Sequence, residues 1–132
     1  MLTAEDQEMI EQIISIKCPE LTSALDLDAE GMDVLTTRLP RQTFDLIICT
    51  GEAFTGITSD EDLWSALRTF SAHAHNGTVL IVKRPEAFHQ AQLETRARSY
   101  RFIYYTCFGN RKQLKVFIFG SQMVDAIDDD GF

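Results

Sequence analysis

Apolar positions along the chain follow two rhythms, and their alternation predicts most of the architecture. Residues 3–16 repeat their apolar side every three or four positions, with Met9, Ile10, Ile13 and Ile14 on one stripe, as in an amphipathic helix. Thr3 before an acidic first turn, with Asp6 three residues on, resembles a capping box, and Pro19 predicts the end of the helix. Residues 21–27 (LTSALDL) alternate loosely and predict a short strand. Residues 29–38 predict a weaker helix capped by Asp28, with Met32, Leu35 and Leu39 inward. Gly31 and the pair Thr36, Thr37 count against it.

The clearest strand is residues 44–50 (FDLIICT), nearly continuous in apolar side chains, as a strand covered on both faces should be. A Gly- and Thr-containing loop at 51–58 follows. Ser59 or Asp60 then caps a helix in which Leu63, Leu67, Phe70 and Ala74 recur at helical spacing, flanked by Trp64. That helix is expected to close at His75-Asn76-Gly77, with Gly77 in the left-handed position beyond the cap. Residues 78–83 (TVLIVK) predict a second buried strand, and Pro85 suits the first turn of a helix over 86–100. Residues 102–107 and 114–120 predict two strands whose short link contains Gly109 and Asn110, hence an antiparallel hairpin. The order α, β, α, β, α, β, α, β, β implies an α/β sheet, mostly parallel, ending in that hairpin. One domain over 1–121 and an acidic tail over 122–132 are expected.

Composition adds limits. With 132 residues, 45% of them hydrophobic, the chain can bury a core, and no run of 18 apolar residues predicts a membrane span. The N-terminus has neither the basic region and apolar run of a secretory signal nor the arginines of a transit peptide, so a cytoplasmic protein is expected. Cys18, Cys49 and Cys107 are widely spaced, which gives neither a disulfide framework nor a zinc pattern.

The net charge of −8 hides a segregation. Residues 1–82 carry fourteen acids and four bases, residues 83–115 two acids and eight bases, and residues 116–132 four acids and no base. So acidic a chain predicts no nucleic-acid partner, since phosphate binding needs accumulated positive charge. The basic zone Lys83, Arg84, Arg96, Arg98 and Arg101 suits an acidic protein partner instead.

The run Phe44-Asp45-Leu46-Ile47-Ile48, a helix, then Asn76-Gly77-Thr78-Val79-Leu80-Ile81-Val82-Lys83 resembles the fourth and fifth strands of class I methyltransferases. The resemblance covers roughly residues 20–120 and implies a Rossmann-like sheet of that type, truncated at the first strand. Active members hold S-adenosylmethionine on a glycine-rich turn after the first strand, with an acid on the ribose hydroxyls. Here the first glycine is Gly31, and Asp26 or Asp28 is the nearest acid to that role.

Within methyltransferase-like proteins, residues 43–85, ending in Lys83-Arg84-Pro85, resemble the N-terminal domain of the anamorsin family of cytosolic iron–sulfur assembly factors. That resemblance implies a monomeric, non-enzymatic interaction module that docks a diflavin reductase through the basic zone. It implies no cofactor in this domain, the iron–sulfur clusters belonging to a C-terminal domain outside these 132 residues.

The alternative is an enzyme. Ribose 2′-O-methyltransferases place a catalytic lysine where Lys83 stands, with a second lysine, an aspartate and a glutamate. Here Cys49, Thr50 and Gly51 occupy the aspartate's place, Glu52 is the nearest acid, and residues 116–119 are apolar where the glutamate would fall. His73 and His75 are expected near a helix C-terminus, where a cation complements the dipole.

Overall fold

The computed structural model describes residues 4–17, 23–29, 31–39, 42–104 and 114–120. Helix α1 (Ala4–Lys17) precedes strand β1 (Ala24–Asp26) and strand β2 (Phe44–Cys49). A single helical turn, α2 (Glu52–Thr55), and helix α3 (Asp60–Ala72) lead to strand β3 (Ala74–Lys83). Helix α4 (Gln90–Arg98) and the strands β4 (Phe102–Tyr104) and β5 (Leu114–Phe119) complete the described elements. The sheet order is β1-β2-β3-β5-β4. β1, β2 and β3 run parallel, and β5 lies antiparallel to both β3 and β4. The mixed α/β sheet with its closing antiparallel pair is therefore present as predicted.

The alternation of each strand divides the core in two. On one face Leu25, Ile47, Cys49, Leu80, Val82, Phe102 and Phe117 pack beneath Leu63, Leu67 and Phe70 of α3 and Leu93 and Ala97 of α4. On the other, Leu46, Val79, Ile81, Leu114 and Val116 meet Ile10 of α1. β2 and β3 are buried on both sides, which explains their unbroken apolar runs. The Ser59 hydroxyl accepts from Asp62 N–H at 3.1 Å and caps α3, as expected.

Three expectations are corrected. Among the described residues of 29–38 no helix forms. The described residues there make isolated turns, and Asp28 spends its carboxylate on the backbone of the loop after β2 rather than on a cap. Helix α3 ends at Ala72, short of Gly77, and Gly77 (φ 97°) lies inside β3, where its positive φ admits an irregular strand entry. Helix α4 starts at Gln90 because residues 85–88 form a turn closed by Phe88 N–H on Pro85 O. The left-handed residue sought after α3 is found after α4, at Arg101 (φ 70°). The Thr3–Asp6 box, Cys18, Cys107 and the acidic tail lie outside the described side chains. Among the described residues no helix is long and apolar enough to cross a membrane.

Candidate functional site

In an open α/β sheet, ligands collect beyond the carboxyl ends of the parallel strands, where the loops diverge. Here that edge holds a cleft of about 510 Å³ lined by Thr50, Glu52, Thr55, Gly56, Lys83, Arg84 and Glu86. Two loops build it. The first leaves β2 at Thr50 and turns through α2. The second leaves β3 at Lys83 and runs to Pro85, which is buried.

The β2 loop is anchored from the turn after β1. Both Thr50 N–H and Gly51 N–H donate to one carboxylate oxygen of Asp28, each at 2.8 Å. A single anion thus satisfies two adjacent backbone donors, a charge-assisted arrangement stronger than neutral pairing. Gly51 is required for this approach, since a Cβ there would sit 2.3 Å from Asp28 Oδ1. Asp26 accepts from Ala29 N–H at 3.1 Å, and Gly31 (φ 66°) closes the turn with its N–H on Asp28 O. Cys49 is buried beneath the same spot. Burial, reinforced by the Asp28 and Asp26 carboxylates, pushes its thiol well above its usual range, so it packs as a small apolar group.

The five cations of the basic zone do not share one face. Lys83 ends β3 at the cleft. Arg84 also lines the cleft, and its guanidinium donates to the carbonyls of Phe88 and Pro85, which holds the turn after β3. Arg96 pairs with Asp60 at 2.9 Å and lies over the Phe88 ring, joining α4 to the start of α3. Arg98 and Arg101 are exposed at the other end of the sheet, where the chain turns from α4 into β4. Since Phe102 pairs with Phe119, next to the Val79–Ile118 pair, Arg101 lies about 20 Å from Lys83 along the strand direction.

Lys115 was not singled out from sequence, because it lies in an apolar strand and only pairing reveals its place. It sits opposite Val82 in the β3–β5 ladder and is 4% exposed. Its ammonium donates to Gln90 Oε1 at 2.9 Å. Burial, helped by the Arg84 cation and opposed by Glu94, lowers its pKa. The only outward signal was a lysine interrupting the apolar run LKVFIF.

His73 and His75 lie at the amino end, and His89 caps α4. His73 is buried, with Nδ1 2.7 Å from Thr69 O and Nε2 accepting from Leu39 N–H at 2.9 Å. His75 reaches Asp45 at 2.7 Å and Asn76 O at 3.0 Å. His73 is thus the C-cap of α3, with its ring on a carbonyl of the last turn, as expected near a helix C-terminus, while His75 ties β3 to β2. Among the described residues no group of three His, Cys, Asp or Glu side chains could hold a metal ion.

No protein-family model and no curated protein matches the chain. Solved structures do. A sugar N-methyltransferase from Streptoalloteichus sp. is similar with a TM-score of 0.69 at 13% identity, over 89% of this chain and 88% of that one. An amino pentose methyltransferase from Micromonospora echinaspora, solved with S-adenosylmethionine bound, gives 0.65 at 13% identity, over 86% and 89%. A S-adenosylmethionine-dependent methyltransferase from Clostridium acetobutylicum gives 0.63 at 12% identity, over 87% and 90%. At these identities the likeness is one of fold, and that fold is the class I methyltransferase sheet.

These neighbours correct the expectation of a non-enzymatic module, since the architecture is one that methyltransferase enzymes carry. That expectation follows from the resemblance to the anamorsin family and from the lack of a first strand, of any glycine before Gly31 and of a full catalytic set. In the folded chain that glycine stands in the turn directly after β1, beside the β2 loop.

Proposed function

We propose that the chain is a S-adenosylmethionine-dependent methyltransferase whose donor occupies the cleft at the carboxyl edge of β2 and β3. The observation that carries this reading is the cleft itself. Its volume of about 510 Å³ suits a nucleoside-sized ligand, which takes roughly 300–1,000 Å³. It opens where open α/β sheets bind ligands, in a fold shared with methyltransferases, one of them solved with the donor bound.

The lining chemistry fits the donor. Glu52 and Glu86 offer carboxylates that accept from hydroxyl or ammonium groups and favour a nearby positive charge, and Thr50 and Thr55 add hydroxyls. The turn after β1 leaves open space above Gly31, which has no atom within 4 Å of a would-be Cβ. When bound, the donor supplies an activated methyl group on a sulfonium. The protein's part is to hold the two reactants in line and to keep water away. Asp28 contributes by fixing the β2 loop, so that Thr50 and Glu52 are in place before a ligand arrives.

The 2′-O reading of Lys83 gains Glu52, which lines the same cleft. It gains no acid from β5, whose buried positions there are Val116 and Phe117.

The test is calorimetry with S-adenosylmethionine and S-adenosylhomocysteine on the intact chain. Saturable binding that Glu52→Gln and Glu86→Gln each weaken supports the reading. A wild-type chain that takes up neither compound at millimolar concentration overturns it.

A further inference from the structure

The surface where α4 turns into β4, at the end of the sheet away from the cleft, carries exposed cations around a pair of aromatic rings. Arg98 and Arg101 stand on either side of Tyr100 in the chain, and the Tyr100 ring meets Trp64 of α3 at a centroid distance of 5.7 Å. Both rings are half-buried and rest on the core beneath α3 and α4. Arg68 is exposed one turn beyond Trp64, hence on the same face of α3. Among the described residues none of these three arginines is in an ion pair. Arg68 reaches the Ser65 hydroxyl, and Glu94, one turn before Arg98, does not close on it. The dipole of α4 favours Arg98 in its last turn, but Arg101 stands past that helix and Arg68 before the last turn of α3.

The chain leaves the sheet beside these arginines. Gly120 N–H donates to Arg101 O at 3.1 Å, and a Cβ on Gly120 would run into Asn76 Oδ1, so the exit from β5 is held next to Arg101. Residues 121–132, SQMVDAIDDDGF, follow. They carry four aspartates and no base, with Met123, Val124, Ile127 and Phe132 interspersed. Asp125 is five positions past Gly120, so it lies at most about 17 Å from it. An acidic stretch with apolar side chains is therefore tethered beside an aromatic pair flanked by arginines.

We propose that residues 121–132 dock back on the Trp64–Tyr100 surface, with their aspartates against Arg98, Arg101 and Arg68. A single exposed ion pair contributes little. A tethered segment, however, meets its site at an effective concentration on the order of millimolar, so several weak pairs together can hold it. Guanidinium groups suit carboxylates in two-pronged contacts, and the apolar side chains between the aspartates cover the rings. The segregated charge of the sequence thus has a use within the chain, since the basic stretch and the acidic one after it meet across one surface. The contact is independent of what the cleft binds.

The test follows backbone amides and arginine Nε–H groups of the full chain by nitrogen-15 NMR, together with the fluorescence of Trp64, the chain's one tryptophan. Wild type is compared with a chain carrying Asp125→Asn, Asp128→Asn, Asp129→Asn and Asp130→Asn. Both are measured at low salt and at about 0.5 M sodium chloride, where the screening length lies between roughly 3 and 8 Å. At low salt the two chains should differ at residues 98–101 and in Trp64 emission, and salt should move wild type toward the asparagine chain. A peptide of residues 121–132 added to the asparagine chain should restore the wild-type shifts saturably. Arg98→Gln combined with Arg101→Gln should weaken that binding roughly fivefold, the scale of two exposed pairs.

Identical low-salt spectra of the two chains at residues 98–101 overturn the contact. A difference that salt leaves untouched overturns its ionic basis. Shifts at residues 83–86 instead put the acidic stretch on the cleft, and shifts that grow with protein concentration put it on a second copy. Either result overturns the docking proposed. Peptide binding unchanged by the paired arginine substitutions overturns the assignment to Arg98 and Arg101.

Discussion

The two ends of the sheet use the same kinds of polar residue in opposite ways. At the amino end a set of polar groups joins neighbouring strands to one another. The Thr78 hydroxyl, fully buried, donates to Phe44 O at 2.6 Å and accepts from His75 N–H at 2.9 Å. His75 holds Asp45, Asp45 N–H meets Ser23, and Phe44 N–H meets His73 O. At the carboxyl end Asp28 closes the backbone of the β2 loop, but Glu52, Lys83, Arg84 and Glu86 open onto a cleft. One end spends its polarity on joining strands. The other holds its loops from beneath and leaves side chains toward the cleft.

The sharpest way to break this contrast is Thr78→Val. Valine keeps the volume but leaves Phe44 O and His75 N–H without this partner in a buried site. The expected loss is about 2–3 kcal/mol in urea unfolding, with ligand binding at the cleft unchanged. An equal loss of binding would mean that the two ends are not independent.

Asp28→Ala should cost less stability, about 1–2 kcal/mol, while exposing Thr50 and Gly51 amides to faster hydrogen exchange and weakening the donor. Asp28→Asn, whose amide oxygen can still accept both N–H groups, should recover most of the binding. Gly51→Ala sharpens the point. Its Cβ would crowd Asp28 Oδ1, so the substitution should destabilise wild type yet be nearly neutral beside Asp28→Ala, a coupling of about 1 kcal/mol in a double-mutant cycle.

The smallest effect is in pH dependence. Lys115 has a pKa lowered in the folded chain from the ordinary 10.5, so below that value the unfolded chain binds more protons than the folded one. Stability should therefore rise with pH as the folded-state pKa is passed, up to 10.5. Tyr104 has a pKa raised above 10.0 by burial and by Glu94, so its contribution falls with pH once 10.0 is passed. Lys115→Met should abolish the rise and leave the fall, which alkaline thermal melts can read.

Hydrophobic rhythm made the scaffold legible. Continuous apolar runs at residues 44–49 and 78–83, the Ser59 cap and the closing antiparallel pair follow from local chemistry, and the folded chain keeps them. The boundaries that moved share one cause. Gly77 and Pro85 carry turn signals that several local structures satisfy equally, and the choice among them is made by packing.

The site was less legible, because its contacts join residues distant in sequence. Asp28 reads as a helix cap until β1 pairs with β2 and brings Thr50 and Gly51 beneath its carboxylate, 22 and 23 positions away. The basic zone reads as one patch because its residues are consecutive in charge, but a helix and a strand separate Lys83 from Arg101 across the sheet. Lys115 reads as an interruption until the antiparallel ladder sets it beside Val82. The sequence alone determined which segments are buried and in what order they alternate, since burial depends on each side chain's own transfer free energy. Which charges face one another, and which end of the sheet stays open, was decided only by strand pairing. Register converts distance along the chain into proximity in space, and no single segment carries that information.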